Sequence, residues 1–450
     1  MSVLDLDDIQ GLVLRGYAMP ALRVFVLRIV DPNAGRSLLG ALAGGDPALR
    51  VTSGAPWGEK PPRCFNVGIT FEGLRALHVA DVSLHSFPAE FAEGAAARAA
   101  RVGDAGASAP ERWIGGLGSS DVHLVVTCFA VDAAALEAAT VELRSCFASP
   151  DGLQELSHHD GGALPGHVAH FGYRDGFSQP TIEGAPPTRF VDRLPVAPAG
   201  EFLFGYPSQH PGFSYPVPTP DALGRNGSFM ALRLLEQDVA GFEAFLVDAG
   251  RRLGLHPELV AAKLCGRWRN GVPLALSPDT DAPEPGVPEE LLNDFDYAGP
   301  GQDDPRGVRC PIGAHIRRTN PRSSRVAGGG GNLHRLVRRG LPFGPPFEPG
   351  QPPDGHARGL VGMFIGVSLA DQFEFIMAEW VNSGRFAPGL GSSTDPLIGG
   401  GAEHQRRFTI PVEGSASLAV AGFARFVRTL GGAYCFLPSL GALGVLAAGE

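Results

Sequence analysis

At 450 residues the chain is too long for one small core and suits one large domain or two medium ones packed together. A hydrophobic share of 44% with 19% charged residues is that of a folded globular protein, and a net charge of -10 with no basic block to offset it argues against nucleic acid as a partner. The opening MSVLDLDDIQG is acidic and develops no apolar signal region, and no later segment reaches the roughly 18 uninterrupted apolar residues of a membrane span. A cytoplasmic protein without a membrane partner is therefore expected.

The first predicted element is a strand at ALRVFVLRIV (21–30), rich in β-branched and apolar residues, followed by a helix at AGRSLLGALAGG (34–45) that stops on glycines. The order recurs as CFNVGIT (64–70) with FEGLRALHV (71–79), and as DVHLVVTCFAVD (121–132) with AAALEAATVELRSC (133–146), whose apolar positions fall at helical spacing. LSHHDGGALPG (156–166) reads as a polar, Gly-rich surface loop, which places the pair His158 and His159 at the surface rather than on a metal. A Pro-rich connector at 186–220 divides an N-terminal unit (1–185) from a C-terminal unit (221–450). The second unit opens with SFMALRLL (228–235) and the helix EQDVAGFEAFLVDAGRRLG (236–254). It continues with GLVGMFIGVS (359–368) and the helix LADQFEFIMAEWVNSGRF (369–386), and closes on a strand at GGAYCFLPS (431–439). Both halves thus alternate strands with long helices, which predicts an α+β protein of two βαββαβ units whose antiparallel sheets pack together.

Motifs of other chemistries are missing. There is no HExxH, GxSxG, GxxxxGK[ST] or EF-hand pattern, no GxGxxG turn between a first strand and helix, and the GGGG at 328–331 follows no strand and reads as a loop. The cysteines at 64, 128, 146, 265, 310 and 435 have no CxxC or zinc-finger spacing and are expected reduced and mostly buried.

Two stretches carry chemistry. HFGYRDGFSQP (170–180) places Asp175 between an arginine and a glycine inside an aromatic run, where it is either a turn-former or a charge that needs partners. CPIGAHIRRTNPR (310–322) places His315 after two small residues and follows it with Arg317, Arg318 and Arg322. Gly172-Tyr173-Arg174-Asp175-Gly176 matches the GxxDG element of the dye-decolourising (DyP-type) haem peroxidases, and CPIGAHIRRTNPR resembles the segment with that family's proximal histidine. LDDIQGLVLRGY, FNVGITFEGLRAL, FLFGYP, LVRRGLPFG, QFEFIMAEWVNSGRF and FLPSLGALGVLA extend the resemblance over nearly the whole chain.

The resemblance implies two ferredoxin-like units, with one haem b held mainly by the C-terminal half. It implies hydrogen peroxide and small aromatic reductants as substrates, with oligomerisation open. His315 would be the axial ligand of the iron, with Gly313 and Ala314 leaving room for the porphyrin. Arg322 would be the first choice for a propionate contact, Arg317 and Arg318 being further candidates. Asp175 would move the peroxide proton, an acid–base role open to a carboxylate only while ionised. Arg338, from HRLVRRGLPFG, would touch haem and stabilise the leaving oxygen, with Arg339 as its fallback. Asp371 and Glu374 would be the candidate acceptors for the second ring nitrogen of His315, and Phe364 the ceiling of the distal pocket. Bulky dyes would have to donate electrons at the surface through aromatic relays; Trp268, Trp380 and Tyr434 are candidate stations, but each reads first as a plain core residue. The alternatives are chlorite decomposition or porphyrin decarboxylation on the related scaffold, or a non-catalytic haem carrier or sensor.

Overall fold

The computed structural model describes residues 3–147, 151–187, 189–299 and 301–449. Four strands form in the first half: β1 (Ala21–Ile29), β2 (Arg63–Ile69), β3 (Leu124–Ala130) and β4 (Leu153–Gly162). Three long strands and one more form later: β5 (Ser228–Gln237), β6 (Val337–Phe343), β7 (Gly359–Gly366) and β10 (Val427–Leu437), with β8 (Arg407–Ile410) and β9 (Leu418–Ala421) as a separate antiparallel ribbon. The order β4-β1-β3-β2-β10-β5-β7-β6 is two antiparallel βαββαβ sheets joined edge to edge, with Phe436 of β10 opposite Ile69 of β2.

The helices sit where the sequence supplies starts and stops. Asp132 accepts the Ala135 N–H at the head of Ala133–Ser145, and Asp238 accepts the Gly241 N–H at the head of Val239–Leu253, which ends on left-handed Gly254. Strand side chains alternate between two cores. Leu22, Val24 and Val26 of β1 meet Met230, Leu232, Val361, Met363 and Cys435 between the sheets, while Phe25, Leu27 and Ile29 face the helices. The expected packing of two sheets is therefore present.

Two details differ from the sequence expectation. LSHHDGG is not a loop but belongs to strand β4, paired with β1; His158 bonds Glu155 and His159 bonds Ser157, and neither is in a metal cluster among the described residues. The VRRGLPF segment is a strand as well. β4 and β6 are the outer strands of the joined sheet, where polar residues, glycine and proline replace the apolar alternation that marks a strand. The helix after β7 forms as two π-helical segments, Leu369–Glu374 and Ile376–Val381.

Candidate active site

β6 decides between the two neighbouring arginines. Successive side chains of a strand point to opposite faces. Arg339 points into the inter-sheet side, where Nε donates to the Leu12 carbonyl at 3.0 Å and Nη2 to the Val13 carbonyl at 3.3 Å. Arg338 takes the other face, directly across from Phe364 on β7. β6 can lie this close to β7 because residue 340 is glycine, with φ +145°: a Cβ there would run into the Val361 carbonyl oxygen.

The GxxDG stretch folds back onto this strand. Asp175 is a turn residue, as its local pattern suggested: its carboxylate accepts the Gly176 N–H at 2.7 Å, and Gly172 and Gly176 have φ of +85° and +94°. The same turn presents its Oδ1 3.7 Å from the Arg338 Nη2. Gln179 fixes the relation by bonding both backbone groups of Arg338, donating to its carbonyl at 3.0 Å and accepting its N–H at 3.1 Å. Nothing in the local sequence marked Gln179 for that role. Both charged side chains stay open, with 64% of Asp175 and 39% of Arg338 exposed.

His315 starts the short helix His315–Thr319. Its Nδ1 lies 2.9 Å from Oδ2 of Asp395, which is fully buried. Oδ1 of Asp395 accepts the N–H groups of Leu397 and Ile398, each at 2.9 Å. Burial would push this carboxyl up, but His315, the Ile398 N–H and the charge of Arg318 together hold it below the usual carboxylate value. An ionised Asp395 fixes the ring proton on Nδ1 and leaves Nε2 with its lone pair. Neither expected acceptor does this. Asp371 bonds Ser368 at 3.0 Å, and Glu374 takes Arg98 through both oxygens at 2.5 Å and the Tyr434 hydroxyl at 3.0 Å. Both point away along the π-helical segment, whereas Asp395 arrives from a loop 80 residues downstream.

Of the two small residues before His315, only Ala314 has a packing reason of its own. A Cβ on Gly313 would make only ordinary contacts with Leu390 and Phe408 at 3.5 Å, so packing alone does not require glycine there, whereas Ala314 is buried in a cluster with Phe177, Phe295 and Tyr297. Through Phe177 that cluster ties the GxxDG stretch to the His315 segment. Of the three arginines after His315, Arg317 is spent on Asp304 and the Cys310 carbonyl, and Arg318 on the carbonyls of Gly313, Trp380, Ser383 and Ser393. Both are thus engaged as braces of the backbone. Arg322 lies 3.7 Å over the Phe295 ring and donates to Asn293 and Phe295, with Asp192 at 3.6 Å.

The charge around these groups fits an anionic cofactor. Burial draws the Arg267 guanidinium down to about 10, and the charges of Arg322 and Arg338 press in the same direction. Arg339 is drawn down to about 10 by its burial as well, with Arg338 adding to it. Asp192, the carboxylate beside Arg322, is pushed up by burial, against the opposing charge of Arg322. Asn293 Nδ2 is buried without a partner among the described residues. A surplus of guanidinium charge with a spare amide donor suits a dianion bearing two carboxylates, and His315 Nε2 suits a metal. Haem joins both in one molecule.

Trp268, Trp380 and Tyr434 take the core reading rather than that of surface relay stations. Trp380 is fully buried and donates to the Ala327 carbonyl, Trp268 is 7% exposed and donates to Ser277, and Tyr434 is 2% exposed. None reaches the surface.

No protein-family model matches the chain. Curated relatives do. A dye-decolorizing peroxidase of Mycena epipterygia is 29% identical over 99% of this chain and 88% of its own length, and the dye-decolorizing peroxidase of Auricularia auricula-judae is 29% identical over 98% and 86%. A multifunctional dye peroxidase of Amycolatopsis is 29% identical over 97% and 94%. Among solved structures, a DyP crystal structure superposes with a TM-score of 0.84 at 27% identity, covering 99% of both chains. The fungal DyP-type peroxidase of Auricularia auricula-judae gives 0.83 at 26%, covering 99% of this chain and 100% of its own. Over nearly its whole length the chain is thus similar, in sequence and in fold, to dye-decolorizing peroxidases.

Proposed function

We propose that this peroxidase holds one haem b per chain, with His315 as the axial ligand of the iron and Asp175 and Arg338 as the groups that handle peroxide. The single observation that carries the reading is the pairing on both sides. Asp395 stands 2.9 Å from Nδ1 of His315, and Asp175 stands 3.7 Å from Arg338. When bound, haem supplies an iron that takes up peroxide and passes electrons one at a time.

The chain's own groups do the rest. Breaking the O–O bond requires a proton to leave one oxygen and reach the other. The Asp175 carboxylate accepts it and gives it back, which an open carboxylate on a fixed turn is suited to do. Arg338 keeps its charge throughout and stabilises the oxygen that departs. Asp395 keeps the His315 proton on Nδ1, so Nε2 always faces the metal as a lone pair. Arg322, with Asn293 beside it, is the proposed propionate partner. Phe364, opposite Arg338, is the proposed apolar ceiling.

Small phenols are the proposed reductants; one solved neighbour is a complex with 2,6-dimethoxyphenol. A carrier would have no use for an acid–base pair, and Asp175 with Arg338 weighs against that role. A cytoplasmic location is proposed on six cysteines that form no disulfide, five of them buried. Cell fractionation tests it, and recovery only from the medium would refute it.

Reconstitution tests the ligand. The wild-type protein is expected to show the Soret band of a histidine-ligated ferric haem and the pyridine haemochrome of haem b, and His315→Ala to lose most of that binding. Equal affinity and an identical spectrum in the variant would remove His315 from the iron.

A further inference from the structure

The loop that carries Asp395 is clasped by two buried arginines that the mechanism leaves unused. On its N-terminal side Arg318, fully buried, donates from Nη2 to the Ser393 carbonyl at 2.7 Å and from Nη1 to the Trp380 and Ser383 carbonyls at 2.5 and 3.0 Å. On its C-terminal side Arg406, 2% exposed, donates to the Pro396 carbonyl at 2.9 Å and to the Gly399 carbonyl. The Arg406 Nε has no partner among the described residues. Among the described residues neither guanidinium makes an ion pair with a carboxylate.

Carbonyls satisfy the N–H groups of a guanidinium but not its charge. A buried cation held only by dipoles keeps a strong field, since water and counter-ions are excluded from it. Burial draws Arg318 and Arg406 each down to about 10, and for both the charge that opposes this is that of Asp395. A loop needing nothing but hydrogen bonds would be served by neutral donors, at less desolvation cost.

We propose that Arg318 and Arg406 are positioning residues that act through Asp395, and that their two fixed charges weaken the electron donation of Asp395 to His315 and so set the iron's reduction potential. A carboxylate bonded to a ligating imidazole makes it a stronger donor and favours the oxidised metal. Two cations around that carboxylate pull density back and favour the reduced metal. The proposal rests on His315 being the axial ligand.

The test compares charge with shape. The haem-loaded wild type, Arg406→Gln and Arg406→Lys are titrated against redox dyes, and the iron–imidazole stretch of the ferrous form is read by resonance Raman. Arg406→Gln is expected to shift the ferric/ferrous equilibrium roughly tenfold toward ferric, about 59 mV for one electron, and to raise the stretch. Arg406→Lys keeps a charge and is expected to stay within about threefold, although both variants lose part of the clasp. Equal shifts in Gln and Lys, or none in either, would overturn the proposal and leave Arg406 as a loop brace. If Arg406→Gln does not accumulate as a folded haem protein, Arg318→Gln and Arg318→Lys take its place and are judged by the same two outcomes. Failure of the ligand reading is seen separately, as a Soret band retained in His315→Ala.

Discussion

Asp395→Asn perturbs the site at one atom. The side chain is completely buried, with three hydrogen bonds at 2.9 Å: two backbone N–H groups on Oδ1 and His315 on Oδ2. Asparagine can replace it in two ways. With its carbonyl on Leu397 and Ile398, its NH₂ faces His315, so Nδ1 must accept and the ring proton moves to Nε2, the atom meant for iron. With its carbonyl on His315, its NH₂ opposes two donors and orphans both. A buried unsatisfied donor costs about 1–3 kcal/mol, so this arrangement loses roughly 2–6 kcal/mol. The first arrangement is therefore favoured in the apo-protein and must be undone for haem to bind. Loss of such an outer partner weakens a metal site by roughly 10- to 100-fold. Haem titration of the apo-protein, followed at the Soret band, is expected to show a Kd higher by that factor, with a melting temperature below wild type. An unchanged Kd together with an unchanged iron–imidazole stretch would refute the tautomer argument.

Trp380→Ala removes a fully buried indole packed between Phe375 and Phe386, and is expected to cost about 3–5 kcal/mol in urea unfolding; a variant as stable as wild type but slower on dyes would restore the relay expectation. Glu201 is 1% exposed with Oε2 unpartnered, and burial pushes its carboxyl above the usual glutamate value. A carboxyl raised in the folded state binds its proton more tightly there, so stability falls as pH climbs from the unfolded value to the folded one. Glu201→Gln removes that loss, and its melting temperature relative to wild type is expected to rise as pH climbs above the unfolded glutamate value of about 4, whereas a constant difference would show that Glu201 titrates alike in both states.

The parts of this molecule that the sequence revealed are those with a local signal. β1, β3 and β5 are runs of β-branched and apolar residues buried on both faces, and the helices after them carry caps and helical spacing. β4 and β6 were missed for a common reason. Each lies at an outer edge, and LQELSHHDGG and VRRGLPF have the polar residues, glycine and proline that belong to an edge rather than to an interior strand. His315, Asp175 and Arg338 could be found because each sits in a contiguous motif. The acceptor for His315 could not. Asp395 stands in SSTDPLIGG, where an Asp-Pro pair reads as an ordinary turn, and only the folded chain brings it to the histidine. Asp371 and Glu374 were the nearer charges in sequence, but the helix turns them to Ser368 and to Arg98. Arg317 and Arg318 misled in the same way, since cations beside a cofactor segment also serve as braces for backbone carbonyls.

The central claim is that Arg338, paired with Asp175, is what makes this haem protein cleave peroxide. Stopped-flow mixing of the ferric enzyme with hydrogen peroxide at about pH 5 tests it in Arg338→Leu. The expected result is a first spectral change slower by roughly 10²-fold or more, with the resting Soret band and haem content unchanged. A variant that reacts with peroxide at the wild-type rate while holding haem normally would contradict the account.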